Sequence, residues 1–170
     1  MRTGGDRRTG GALGLSRKVT VGVDDTPASR AALRWAAEWG LHTDARVQAV
    51  AVWAPPSPMV AAPEIGGAAV GAGLLTDEQF QAQARSWLDD AVAALPAGAE
   101  RIVDREVVHG DAANVLLDAA RDSALLVVGN AGRGALTGLL VGSVALRCAH
   151  HARCPVVLVP SPDDPSPDDL

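Results

Sequence analysis

The sequence predicts a single-domain α/β protein built on a five-stranded parallel sheet, and three observations support that prediction. Short apolar segments alternate with segments of helical spacing along the 170 residues, as expected of repeated β-α units. The segment 124–128 is continuously apolar, which is typical of a central parallel strand covered on both faces. Hydrophobic residues make up 48% and charged residues 21% of the chain, a balance that suits a globular core.

The periodicity places nine elements in the order β-α-β-α-β-α-β-α-β. We expect the strands at 19–23, 47–53, 102–108, 124–128 and 155–159. Thr26 followed by Pro27 predicts the start of the first helix, and Asp111 is expected to cap the third. The second helix shows one apolar face and ends before Pro96, and the last is expected over 143–151. Such alternation predicts right-handed crossovers with helices on both faces, and ligands bind such sheets at the carboxyl ends of the strands.

Three segments fall outside this pattern. Residues 1–16 are rich in Gly, Arg and Thr without periodicity, and residues 161–170 are almost entirely Pro, Ser and Asp. We expect both to be disordered tails flanking one domain at 17–160. Residues 54–73, rich in Pro, Gly and Ala, are expected to form a loop of unusual length for a compact domain.

Composition excludes several classes of function. A net charge of −5 argues against a general affinity for nucleic acid, which requires a basic face. No apolar run is long enough to span a bilayer, and the N-terminus has no apolar segment of the signal-peptide type. Cys148 and Cys154 form neither a CxxC motif nor a disulfide framework, so we expect them to be reduced hydrophobic residues in a cytoplasmic protein.

The most informative motif follows the fourth predicted strand. Gly129, Gly132, Gly142 and Ser143 have the spacing G-x2-G-x9-G-S. Glycines at a strand end permit positive φ and a close approach of backbone amides to a ligand, and a helix N-terminus favours phosphate. The sequence therefore predicts an anion-binding loop, in which Ser143 serves as both helix cap and phosphate ligand.

Other phosphate-binding motifs do not fit. A Walker loop needs a lysine that this segment lacks, since Lys18 is the only lysine in the chain. The dinucleotide pattern GxGxxG fails because Thr137 occupies the place of its third glycine. The hydrolase motif GxSxG does not match the sequence around Ser143 either.

The four-point glycine pattern resembles the nucleotide-binding motif of the universal stress protein family. The resemblance extends to the first strand and helix, over 21–33, and to the segment 154–159, so that it covers about residues 17–160. It implies a Rossmann-like fold of the adenine nucleotide alpha hydrolase type, with the strand order 3-2-1-4-5. The sequence departs from the family at Asn130 and Ala131, where members often carry Ser and then Arg or His, so a polar contact from residue 131 is not expected.

The resemblance also implies a site for ATP, with ADP or AMP as alternative ligands. On this resemblance, the nucleotide can bind with or without Mg²⁺. The phosphates and ribose would meet Gly129, Gly132, Gly142, Ser143 and Val144. Asp24, next to Val23, would contact the ribose, the base or a metal. The main chain of Val52 would meet adenine, and Val128 would form the floor. Arg133 and Arg147 are expected to be solvated surface residues.

Three functions remain open at this point. The first is a nucleotide-dependent regulator of a stress response, acting on an unidentified protein partner. The second is a slow ATPase, although the sequence offers no paired general base, and the four histidines are expected at the surface. The third is an interaction module that binds no nucleotide.

The resemblance further places 155–159 at one edge of the sheet, where four consecutive apolar residues predict a homodimer. The alternative is a monomer kept apart by the acidic tail.

Overall fold

The computed structural model describes residues 17–55, 76–130 and 141–162. The predicted tail 1–16 lies outside the described residues, as do all but two residues of each of the segments 54–73 and 161–170. Gly132 and Arg133 also lie outside them. The boundaries of the single domain at 17–160 therefore stay a prediction.

In the described residues, five strands and four α-helices alternate. The strands are β1 (Lys18–Val23), β2 (Arg46–Trp53), β3 (Val103–His109), β4 (Leu125–Gly129) and β5 (Val156–Val159). The helices are α1 (Pro27–Thr43), α2 (Asp77–Ala93), α3 (Ala112–Ala119) and α4 (Ser143–His151), with a short 3-10 helix at Ala99–Ile102. In the part of the chain that the structure describes, no helix combines the length and apolar character needed to cross a membrane.

The strands form one parallel sheet in the order β3-β2-β1-β4-β5. The predicted fold class and strand order are therefore confirmed. Each strand begins one residue away from its predicted start, and β3 begins later than predicted because Ile102 ends the preceding 3-10 helix rather than entering the strand.

Two helix starts confirm the capping predictions. The Thr26 side chain accepts a 3.2 Å hydrogen bond from the Ser29 amide, and Pro27 occupies the first turn. The Asp111 carboxylate likewise accepts a 3.0 Å bond from the Asn114 amide at the start of α3. Both bonds satisfy amide groups that the first turn of a helix leaves without intrahelical acceptors.

Hydrophobic residues form one core on each face of the sheet. On one face, Val19, Val21 and Val23 of β1 pack against α1 and α2, and the four tryptophans are partly buried around this core. On the other face, Leu126 and Val128 pack against α3 and α4. The predicted placement of helices on both faces is confirmed, and it leaves the carboxyl ends of β1 and β4 adjacent at the centre of the sheet.

Candidate functional site

The strand register brings most of the predicted site residues together at the carboxyl ends of the central strands, a region called the carboxyl edge below. Val23 pairs with Ala51 of β2, which puts Val52 one residue beyond it, at the level of Asp24. Val21 pairs with Val127 of β4, so that Gly129 lies level with Val23. The residues gathered at this carboxyl edge are Val23, Asp24, Val52, Val128 and Gly129.

Asp24 is half-buried and shapes the turn between β1 and α1. One of its carboxylate oxygens, Oδ1, accepts hydrogen bonds from the Thr26 amide at 2.9 Å and from the Thr26 hydroxyl at 2.6 Å. The buried Ser29 hydroxyl accepts from the Asp24 amide at 3.1 Å and donates to the Asp24 carbonyl at 2.9 Å. The sequence did not single out Ser29, because a serine in the first turn of a helix carries no distinctive signal. Asp24 thus has a structural task, and its second carboxylate oxygen takes no part in these bonds.

Gly129, at the end of β4, meets the first turn of α1. A Cβ at this position would lie 2.8 Å from both the carbonyl carbon and the Cβ of Ala28, and 2.9 Å from the Ser29 amide nitrogen. These distances are too short for any side chain, and two of the three atoms belong to the backbone. Gly129 does not have positive φ. Close packing of strand against helix is therefore a sufficient reason for a glycine here, whether or not a ligand also approaches.

The start of α4 is attached directly to the end of β4. The Gly142 amide donates a 2.6 Å hydrogen bond to the Asn130 carbonyl, and the Asn130 amide donates a 2.8 Å bond to the carbonyl of Val159 in β5. These two bonds hold Gly142 and Ser143 next to the strand ends that carry the other site residues. Sequence reasoning treated Asn130 only as a departure from the family pattern and missed this role, which its main chain performs.

Gly142, rather than Ser143, is the N-cap of α4, so the prediction that Ser143 caps the helix is wrong. Gly142 has the extended φ and ψ of a cap residue (−70° and 157°), whereas Ser143 is already helical. The expected positive φ is likewise absent at Gly142. The first bond within the helix runs from the Leu146 amide to the Gly142 carbonyl. The amides of Ser143, Val144 and Ala145 consequently have no acceptor within the helix, and the Ser143 hydroxyl is exposed.

Arg147 is not simply a solvated residue. Its Nη1 atom lies 3.0 Å from both carboxylate oxygens of Asp111, and its Nη2 atom donates to the Asn114 side chain at 2.9 Å. The Asn114 amide, together with the Arg147 guanidinium, lowers the pKa of Asp111. The sequence gives no signal for this pair, since its members are 36 positions apart.

The histidines are exposed, as predicted. The His109 ring packs against the Trp53 ring at the carboxyl ends of β3 and β2, with ring centroids 4.5 Å apart and ring planes tilted by 51°. His42 lies with Nδ1 2.7 Å from the Glu38 carbonyl oxygen on the surface of α1. Within the residues described, no three His, Cys, Asp or Glu side chains cluster in a way that could hold a metal by themselves.

The open parallel sheet, with helices on both faces and glycines at its central carboxyl edge, defines a Rossmann-like α/β protein. The model of the universal stress protein family matches residues 16–160, and the chain therefore belongs to that family. The universal stress protein Rv2623 of Mycobacterium tuberculosis is 35% identical over 159 residues, an alignment covering 88% of this chain and 49% of the relative. The chain thus spans about half the length of this relative.

Solved structures support the same fold. The universal stress protein UspA from Lactobacillus plantarum superposes with a TM-score of 0.67 at 21% identity, over 85% of this chain and 98% of that one. A universal stress protein from Archaeoglobus fulgidus in complex with dAMP gives 0.56 at 22% identity, over 87% and 99%. Another universal stress protein, in complex with cAMP, gives 0.53 at 22% identity, over 86% and 98%.

Proposed function

We propose that this protein binds an adenine nucleotide, with ATP as the principal ligand, at the carboxyl edge of β1, β2 and β4. The observation that carries the proposal is the start of α4, where the amides of Ser143, Val144 and Ala145 lack intrahelical acceptors beside the strand ends. Such a helix terminus attracts a phosphate through its free N–H groups and its dipole. The exposed Ser143 hydroxyl adds a further donor.

The other end of the site suits the nucleoside. Val128 is 4% exposed and would form an apolar floor. Val52 follows Ala51, which pairs with Val23 at the end of β1, and its main chain is proposed to meet adenine. Asp24 lies among the residues at the carboxyl ends of these strands, and its carboxylate can accept a hydrogen bond from a ribose hydroxyl. The complexes of family members with dAMP and cAMP support an adenine nucleotide as the ligand class. Gly129 and Gly132 are proposed to complete the phosphate side.

Mg²⁺ fits the donors at this edge only together with the nucleotide. Mg²⁺ is commonly bound through one or two carboxylates plus the oxygens of a substrate phosphate. Asp24 is the carboxylate that would hold it, through the oxygen that does not bond Thr26. Its chemical contribution would be to neutralise charge on the phosphates.

We further propose that the nucleotide regulates contacts with a protein partner in a stress response and is not turned over rapidly. The chain has no Walker lysine to neutralise charge on a transferred phosphoryl group, which favours binding over catalysis. A slow ATPase and a nucleotide-free interaction module are the alternatives. A cytoplasmic location is part of the proposal, and the two free cysteines are compatible with it.

A homodimer through β5 completes the proposal. The two edges of the sheet differ, because β3 exposes Asp104, Arg105 and Glu106 whereas β5 has the sequence VVLV. Charges protect an edge strand against pairing, and an apolar edge invites it. The edge at β5 is therefore the surface expected to meet a second copy.

Two measurements test nucleotide binding. The purified protein is denatured, and any released nucleotide is identified by chromatography and mass spectrometry. ATP binding to the wild type is then compared by calorimetry with binding to Gly142→Leu. Gly142 has an extended backbone that any residue can adopt, so this variant should still fold, at a cost of about 1 kcal/mol for the poorer N-cap, while its side chain blocks the phosphate. Wild-type affinity in a folded Gly142→Leu protein contradicts the site, and a wild type that neither retains nor binds nucleotide favours the interaction module.

A further inference from the structure

Arg147 lies on the same face of α4 as Ser143. The two residues are four positions apart, a spacing that puts their Cβ atoms about 5–6 Å from each other. Helical side chains lean toward the N-terminus of their helix, so the Arg147 side chain leans toward the turn that carries Ser143. A phosphate held at that turn would therefore have the guanidinium as its neighbour.

In the structure, the Arg147 side chain forms hydrogen bonds with residues at the start of α3. Both α3 and α4 begin at the carboxyl edge of the sheet, and the guanidinium joins them by three hydrogen bonds, two to Asp111 and one to Asn114. A guanidinium has five N–H donors in a fixed fork. Among the described residues, these three bonds leave two donors over.

A phosphate can replace Asp111 as the partner of the Arg147 guanidinium. The Arg147 and Asp111 side chains are 46% and 50% exposed, and ion pairs at such positions are weak because water and salt compete with them. A phosphate with two negative charges attracts a guanidinium more strongly than one carboxylate does, and it can accept a bidentate pair of bonds. When Arg147 moves away, the Asp111 carboxylate still accepts the hydrogen bond from the Asn114 amide and so continues to cap α3.

We propose that Arg147 is a phosphate-binding residue of the nucleotide site and that Asp111 restrains it, so that this ion pair determines how strongly phosphorylated ligands are preferred over adenosine. The inference rests on the proposed nucleotide site and adds a residue that contacts the phosphate tail and a competitor for that residue. In the free protein Asp111 holds the guanidinium, and in the complex the phosphate tail takes it over.

The test measures ATP and adenosine binding by calorimetry at one fixed ionic strength. The variants are Asp111→Asn, Arg147→Gln and the double variant Asp111→Asn/Arg147→Gln. Asparagine caps a helix about as well as aspartate, so Asp111→Asn removes the restraint without removing the cap. Asp118→Asn and Arg121→Gln are matched controls, because they change the same charges in an exposed pair at the other end of α3.

Asp111→Asn should raise ATP affinity roughly two- to fivefold, the range that an exposed ion pair allows. Arg147→Gln should lower ATP affinity by at least about tenfold, as expected for the loss of a charged hydrogen bond. Adenosine affinity should stay unchanged in both variants, and Asp111→Asn should bring no gain in the Arg147→Gln background.

Four results would overturn the inference while leaving the nucleotide site intact. They are an unchanged ratio of ATP to adenosine affinity in Arg147→Gln, a loss of ATP affinity in Asp111→Asn, an equal gain from Asp111→Asn in both backgrounds, and an equal shift in the two controls. A wild type that binds neither ligand contradicts the nucleotide site itself, and the inference with it.

Discussion

The Gly142 amide donates a 2.6 Å hydrogen bond to the Asn130 carbonyl, which joins the two ends of the segment between β4 and α4. Because the Asn130 amide also bonds the Val159 carbonyl, one residue links the start of α4 to the last residue of β5. The proposed phosphate site and the proposed dimer edge thus share a backbone connection.

Ser143→Ala should weaken ATP binding by about 1.5–3 kcal/mol, the value of a hydrogen bond to a charged group, and leave adenosine binding nearly unchanged. Ser143 is not the cap of α4, so the free energy of unfolding should change by less than about 0.5 kcal/mol. Calorimetry with both ligands and a denaturant titration check these values. Equal losses for ATP and adenosine would show that the serine acts through the fold.

Gly129→Ala should destabilise the protein by about 1–3 kcal/mol, the usual cost of overpacking. The added Cβ would press on the backbone of Ala28 and Ser29, which cannot move away without displacing α1. Gly22→Ala is the matched control, because the three atoms nearest to its Cβ would all belong to the Leu116 side chain, with the two terminal methyl groups at 2.8 and 3.3 Å. Denaturant titrations should therefore rank Gly129→Ala as the more damaging change, and the reverse order would contradict this account of the glycine.

The parts of the fold that were predictable are those that depend on local sequence. Apolar periodicity indicated every strand and the four α-helices, and Thr26 and Asp111 cap their helices because their side chains reach amides only three residues away. The strand order came from the family resemblance, since no local pattern specifies which strands become neighbours.

The parts that could not be predicted depend on contacts between distant segments. The packing of Gly129 against α1 joins residues about 100 positions apart, and a glycine before a ligand loop looks the same whether it serves packing or binding. The pair of Arg147 with Asp111 is equally non-local. The mistaken cap at Ser143 has another cause, because glycine also serves as an N-cap and Gly142 immediately precedes a serine.

Asp24→Ala should lower stability by about 1 kcal/mol or more, because the variant leaves the Thr26 amide and hydroxyl without their acceptor. Asp24→Asn retains an acceptor oxygen, so it should be markedly more stable than Asp24→Ala. Thermal unfolding without ligand compares the two variants. Any loss of ATP affinity in Asp24→Asn at unchanged stability then measures the contribution of the carboxylate to the ligand, and equal stability of both variants would contradict the structural task of Asp24.

Cys148 should make the protein less stable as the pH rises above about 9. Burial raises the pKa of its thiol to about 11, whereas the ordinary value is 9.0. The unfolded chain therefore binds fewer protons between these values than the folded protein, and the free energy of unfolding falls with pH by up to roughly 1.4 kcal/mol for each unit of pKa difference. Below pH 9 this stabilisation is fully present.

Denaturant titrations between pH 7 and 11 measure that slope in the wild type and in Cys148→Ala. The variant creates a small cavity at all pH values, so the slope rather than the absolute stability is compared. Cys154→Ala is the comparison variant. It removes the other thiol, whose pKa is also raised by burial but which is less buried than Cys148. A Cys148→Ala protein whose alkaline slope equals that of the wild type would rule out the buried thiol as the cause.

The wild type should be a homodimer in which β5 of one copy pairs with β5 of the other in antiparallel orientation. β5 contacts β4 on one side only and forms the edge of the sheet. The carbonyls of residues 155 and 159 bond toward β4, and since both groups of a residue in a parallel strand face the same side, those of Val156 and Leu158 face outward. Pro155 and Pro160 flank the strand without blocking these groups, and a two-fold axis closes the assembly at two chains.

Light scattering after size exclusion at micromolar concentration decides the question, and a monomer mass for the wild type ends the proposal. Leu158→Lys is the sharper of two variants, because Leu158 is 36% exposed whereas Val157 also packs against the core, so Val157→Asp risks the fold. Leu41→Lys is the matched control, since Leu41 is 53% exposed on α1. Leu158→Lys should shift the mass toward the monomer while Leu41→Lys does not.

Repeating the runs at low and high salt separates pairing from repulsion by the acidic tail, because salt screens charges and leaves the strand contacts in place. A dimer that survives both Leu158→Lys and a folded Val157→Asp uses another surface.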